Sequence, residues 1–133
     1  GDADGSIILV VATDAPLSDR NLTRLASRAL LAIARTGSPA TNGSGDYAVA
    51  FSTAEGVRRT PSRRGAVSDI QDMPNNQLSP LFEAAMEAGE EAIYNALVAG
   101  ETTMGFMGEI KALPLDELVE IIHRYGRGAG VSK

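Results

Sequence analysis

The bond between Gly5 and Ser6 stands at the mouth of the apolar run Ser6-Ile7-Ile8-Leu9-Val10-Val11-Ala12-Thr13. It reads as a self-cleavage point. The Ser6 hydroxyl can attack the carbonyl before it, and an acyl shift followed by hydrolysis leaves Ser6 at a new N-terminus. A serine released in this way carries a hydroxyl nucleophile and a free α-amine on one residue. With an ordinary pKa of about 7.7–8.0, that amine is unprotonated in a useful fraction near neutral pH and can act as the general base. Gly5 suits the junction because it has no Cβ and tolerates the backbone strain of such an attack.

Two more residues with acid–base or relay capacity, Ser44 and Asp46, flank the start of a second strand-like segment. Residues 6–13 are apolar at odd and even positions alike, the pattern of a strand covered on both faces. Residues 45–53 alternate, with Tyr47, Val49 and Phe51 on one face and Asp46, Ala48, Ala50 and Ser52 on the other. Between them Leu22, Leu25, Ala26, Ala29, Leu30 and Ile33 form one stripe of a helix over 18–36. Ser18 is its N-cap, Leu17 and Leu22 a hydrophobic staple, and Gly37 its left-handed end. If this helix is the crossover between parallel strands, both strands start at the same sheet edge, and Ser6, Ser44 and Asp46 converge there. An antiparallel pair would hold them a strand length apart, roughly 3.3 Å per residue. Ser44 and Asp46, two apart in an extended segment, share a face.

The remaining chain reads as a long loop over 54–77 carrying Arg58, Arg59, Arg63 and Arg64, a helix from Ser79-Pro80 to about Ala99, and a last helix from Pro114 to Gly126. A loop of that length points to function or an interface, and its arginines suit either plain solvation or a substrate carboxylate or neighbouring subunit. Ala85, Gly89, Ala92, Ala96 and Gly100 recur at helical spacing, so a neighbouring element can approach closely. Leu115, Leu118, Val119 and Ile122 are expected to face inward on the last helix. The predicted order is β-α-β-α-α, an α/β chain.

The blocks around both candidate sites carry a family resemblance. Gly1-Asp2-Ala3-Asp4-Gly5-Ser6 through Leu17, then Ala34-Arg35-Thr36-Gly37, Asn42-Gly43-Ser44-Gly45-Asp46 and Ala50-Phe51-Ser52-Thr53, resemble the DmpA-type aminopeptidases. That family includes the L-aminopeptidase/D-amino-acid esterases and the β-peptidyl aminopeptidases. Leu81-Phe82-Glu83-Ala84-Ala85 through Leu97 looks like its long helix. The resemblance implies a precursor that cuts itself before the serine. Residues 1–5 would then precede the cut, residues 6–126 form the C-terminal catalytic subunit as a single domain, and residues 127–133 a flexible tail. It implies a layered αββα sandwich of the N-terminal-nucleophile type, completed by a separate N-terminal subunit, with αβ pairs assembling further. By the same resemblance Ser6 is the nucleophile, Ser44 the second serine and Asp46 the acidic residue, where relatives carry Glu or Asp. The oxyanion donors, an asparagine among them, would come largely from the other subunit. The implied substrates are small peptides, amides or esters, with no cofactor. Ornithine acetyltransferases are distantly similar but use threonine at the processing site, so Ser6 speaks against acyl transfer. A binding domain that has lost processing is the reading from another class.

Composition narrows the field without pointing to an activity. With 133 residues the chain suits one domain with a modest core. A net charge of −5 argues against nucleic acid or an anionic membrane as partner. Without cysteine, disulfides and thiolate metal sites are excluded. A single histidine, His123, in a helix's final turn suits the dipole there and is assigned no catalytic role, and no metal site is expected. The apolar runs are far shorter than the roughly 20 residues of a membrane span, so a soluble protein is expected, with cytoplasm and periplasm both open.

Overall fold

The computed structural model describes residues 5–126, so Gly1–Asp4 of the segment before Ser6 and the expected tail 127–133 lie outside the described residues. Two strands, β1 (Ile8–Thr13) and β2 (Tyr47–Ser52), pair in parallel from Ile8↔Tyr47 to Thr13↔Ser52. Helices α1 (Asp19–Ala29) and α2 (Leu31–Arg35) form the crossover between them. The β1-α-β2 unit is therefore the parallel arrangement that the convergence of Ser6, Ser44 and Asp46 requires.

Local chemistry accounts for these boundaries. Ser18 is the N-cap of α1, its hydroxyl accepting from the Asn21 N–H. Leu17 is buried and Leu22 packs against the same core cluster, as a staple requires. The expected single helix is interrupted at Leu30, whose φ of −59° and ψ of −26° are 3₁₀-like, with a tight Ile33 N–H to Leu30 carbonyl bond of 3.2 Å. At the other end Gly37 takes φ +93°, its N–H bonded to the Ala34 carbonyl while the Ser38 N–H reaches that of Ile33. This is the paired-bond termination that a left-handed glycine permits.

The described residues divide into two compact units, one up to Ala92 and one from Ile93. In the first, Leu17, Leu25, Leu78 and Ala85 form the core, with Val11, Ala50 and Phe82 packed against it. Each fully buried leucine contributes about 1.5–3 kcal/mol relative to exposure. Helix α4 (Ser79–Ala99) follows a 3₁₀ turn at Asn75–Gln77 and spans the stretch expected to be helical from Ser79-Pro80. Its small residues do permit close approach. A Cβ on Gly89 would lie 3.0 Å from the Ala32 Cβ, and Ala85 is buried, whereas Ala96 and Gly100 are exposed. Arg24 and Arg28 stand over the Phe82 ring at 5.1 and 4.9 Å, and Arg35 pairs with Glu90 at 2.7 Å.

The second unit holds an antiparallel hairpin absent from the predicted order, β3 (Thr103–Gly105) with β4 (Gly108–Ile110), then α5 (Leu115–Arg124). Strands of three residues are too short to show alternation in the sequence. Gly126 ends α5 with φ +67° as expected. The expectation of inward Leu115, Leu118, Val119 and Ile122 is corrected: no residue of α5 is buried, and Leu115 and Val119 are exposed.

Within the first unit, the long segment after β2 is less free than its composition suggests. It contains α3 (Pro61–Arg64) and is tied to the start of α1. The Asp72 carboxylate accepts from the Ser18 N–H at 2.8 Å, the Ser18 hydroxyl at 2.9 Å and both ways from the Asn21 amide at 2.9 and 3.0 Å. Asn21, the buried polar residue of α1, passes the link on by accepting from Arg24, which also reaches Asn75. Chiefly the Ser18 backbone N–H lowers the Asp72 pKa. Desolvation opposes it, and the Asn21 and Ser18 side chains and the Arg20 charge add to the lowering.

A carboxyl whose folded pKa is depressed stabilises the fold above its unfolded pKa, and that contribution is lost as pH falls through the folded value. Asp72→Asn should therefore weaken the tether by about 1 kcal/mol after discounting for solvent exposure. Amide hydrogen exchange in the first turn of α1 should then be roughly fivefold faster near neutral pH. The wild type should lose this protection below the ordinary carboxylate range, and the variant should show no such acid-dependent step. Equal protection in both proteins at neutral pH would remove Asp72 as the tether.

Candidate active site

The site begins where the β1–β2 ladder has not yet started. Continuing the register backwards from Ile8↔Tyr47 places Ile7 beside Asp46 and Ser6 beside Gly45. The Tyr47 N–H reaches the Ile7 carbonyl at 3.0 Å, so the strands are already in pairing distance there. The Ile7 N–H is taken by a side chain: it donates to Asp46 Oδ1 at 3.2 Å. The Ser44 hydroxyl donates to the same oxygen at 2.8 Å. Asp46 thereby fixes Ser44 and the entry of β1 together.

Ser6 joins through the backbone between those two residues. The Gly45 N–H donates to Ser6 Oγ at 3.0 Å. Ser6 is exposed, while Ser44 and Asp46 are half-buried. The structure thus brings together all three residues singled out in the sequence, with Gly5 immediately before them. The described hydrogen bonds join Ser6 to the pair through Gly45 and Ile7 and not directly. Asp46 Oδ2 carries no hydrogen bond among the described residues. Upstream, the turn is set by Ala40 at φ +47°, an uncommon left-handed conformation for an alanine, and by the Ser44 N–H to Thr41 carbonyl bond of 2.9 Å.

The arginine cluster lies elsewhere. Arg58 and Arg59 line a cavity of about 530 Å³ with Ser18, Leu22, Phe51 and Ser52, near the closing end of β2. That is about 20 Å, the length of a six-residue strand, from the edge holding Ser6. Arg63 is consumed by the loop itself, donating to the carbonyls of Glu55, Gly56, Arg58 and Asp69. Sequence reading missed both this carbonyl-gathering role and the Gly45 N–H, because a backbone donor leaves no side-chain signal. Among the described residues no group of three or more His, Cys, Asp or Glu is placed to hold a metal, and no helix is long and apolar enough to cross a membrane.

Residues 2–111 match Peptidase family S58. The chain belongs to that family. A β-peptidyl aminopeptidase of Sphingosinicella microcystinivorans is 49% identical over 125 residues, which are 93% of this chain and 31% of that protein. Among solved structures, a protein of Pyrococcus horikoshii OT3 superposes with a TM-score of 0.80 at 50% identity, covering 92% of this chain and 34% of the other. The L-aminopeptidase D-Ala-esterase/amidase of Ochrobactrum anthropi, described as a prototype for the serine aminopeptidases and a variant of the Ntn hydrolase fold, gives 0.80 at 38% identity, over 93% and 35%. This S58 chain accordingly has the α/β architecture of the Ntn-type aminopeptidases, and it spans about a third of the length of the relatives it matches.

Proposed function

We propose that this S58 chain is the C-terminal, nucleophile-bearing part of a self-processing serine aminopeptidase. The observation that carries the reading is the parallel β1–β2 register, which puts Ser6 against Gly45 and within one residue of the Asp46–Ser44 pair. Cleavage before Ser6 frees its α-amine. In turnover, Ser6 Oγ attacks the substrate carbonyl carbon while its proton passes to that amine. The tetrahedral adduct collapses, the proton moves to the leaving amine or alkoxide, and an ester remains on Oγ. Water, deprotonated by the same amine, releases the acid and restores Ser6. The Asp46 carboxylate, whose Oδ2 carries no hydrogen bond among the described residues, stabilises the α-ammonium that forms in each half-reaction, and Ser44 acts as its relay.

The same reading requires a partner. The outward face of the sheet exposes Ile8, Val10, Tyr47, Val49 and Phe51 at 69, 65, 67, 55 and 45%. A contiguous apolar row of this kind marks an interface. Its occupant in this proposal is the upstream two-thirds of the same precursor, which forms the second half of the sandwich and supplies oxyanion donors. Further αβ pairs then assemble.

Ser6→Ala in the complete protein should leave one uncut chain on a denaturing gel; normal processing would refute the nucleophile assignment. Asp46→Asn removes charge at nearly constant volume, and turnover of an amino-acid p-nitroanilide should fall by roughly 10²–10⁴ with the fold retained. Undiminished turnover would reduce Asp46 to a strand-entry anchor.

A further inference from the structure

Several of the described glycines owe their place to the backbone or to packing against another segment. Gly37, Gly108 and Gly126 hold positive φ, and Gly89 admits Ala32. Gly45 has no such backbone reason. Its φ lies outside the left-handed region, so an alanine could adopt its backbone conformation, and the residue is exposed. What a side chain there would meet is Ser6. A Cβ on Gly45 would stand 3.2 Å from Ser6 Oγ, against 3.9 Å from Ser6 Cβ and 4.0 Å from Tyr47 Cε2. Only the first of these is tighter than ordinary van der Waals contact. The atom that would have to give way is the hydroxyl oxygen to which the Gly45 N–H donates at 3.0 Å.

We propose that Gly45 is a positioning residue for the nucleophile, placing Ser6 Oγ by a backbone hydrogen bond while leaving open the space that the oxygen occupies. This inference rests on Ser6 being the nucleophile and adds a requirement to it. With one lone pair of Oγ engaged by Gly45, the hydroxyl proton is directed away from β2 and toward a base. The donor also stabilises negative charge growing on Oγ as that proton leaves. Gly45 lies between Ser44 and Asp46 in the chain, so the carboxylate that holds Ser44 and the entry of β1 also fixes the direction of this N–H. A methyl at Gly45 displaces Oγ by a few tenths of an ångström or turns Ser6 to another rotamer. The first change stretches the 3.0 Å bond and the second breaks it, and both disturb the reactive alignment, to which rates are steeply sensitive.

The test uses the complete protein with Gly45→Ala, Gly65→Ala and Ser6→Ala. Gly65 is a matched control, since a Cβ there meets only the Ser62 carbonyl at 3.9 Å. Gly45→Ala should keep its melting temperature within a few degrees of wild type, because the backbone accepts alanine. It should cleave before Ser6 at least ~10-fold more slowly, and the processed fraction should show kcat on an amino-acid p-nitroanilide lowered ~10–100-fold with KM little changed. Gly65→Ala should process and turn over normally. Gly45→Ala behaving like Gly65→Ala would overturn the proposal while leaving Ser6 untouched, provided that Ser6→Ala stays uncut. A large fall in melting temperature, with cleavage and kcat recovering to wild-type values at temperatures where the variant is fully folded, would also overturn it, by making Gly45 a folding requirement. Normal cleavage of Ser6→Ala would take away the nucleophile and this inference together.

Discussion

The parallel pairing of β1 with β2 is the constraint from which the site follows. The crossover through α1 and α2 returns the chain to the edge at which β1 begins, so residues 39 apart in sequence, Ile7 and Asp46, share one hydrogen bond. One carboxylate oxygen accepts from both the Ser44 hydroxyl and the Ile7 N–H at the entry of β1, and one backbone N–H donates to the Ser6 hydroxyl oxygen. The economy of this arrangement explains the residue types. Asp46 must be an acceptor with two directions, Ser44 a donor, and the residue between them small.

The helical side of the sheet and the outward side obey different rules. Toward α1, β2 presents Ala48 and Ala50, small enough for the helix to lie close, and the core fills with Leu17, Leu25 and Leu78. On the opposite face, Val10 and Val49 are paired neighbours left exposed. The segment after β2 is then stapled back to the N-cap of α1 through Asp72, which fixes the loop that carries the arginines at the sheet edge away from Ser6. An insertion that looked free in composition is thus an ordered strap.

The sequence made much of this legible because its strongest signals were local. Alternation in Tyr47-Ala48-Val49-Ala50-Phe51, the Ser18 cap and the Gly37 stop are patterns of neighbouring residues, and each appears in the structure. The convergence of Ser6, Ser44 and Asp46 followed from topology, a single choice between parallel and antiparallel. What was not legible depends on atoms without side-chain identity or on distant partners. The Gly45 N–H has no residue signature. Asp72 is one carboxylate among many until folding brings it to Ser18, 54 residues away. The three-residue strands of the hairpin give no period, and the helical periodicity of Leu115, Leu118 and Ile122 was real but did not specify a covering surface within the described residues.

The proposed chemistry turns on Ser6 becoming an N-terminal residue whose amine and hydroxyl act together. Intact mass measurement of the complete protein, purified without added protease, tests it most directly. Two polypeptides are expected, the smaller with a mass that begins at Ser6 and with serine as its first residue on N-terminal sequencing. A single polypeptide that retains the Gly5-Ser6 bond and is nonetheless fully active would contradict it.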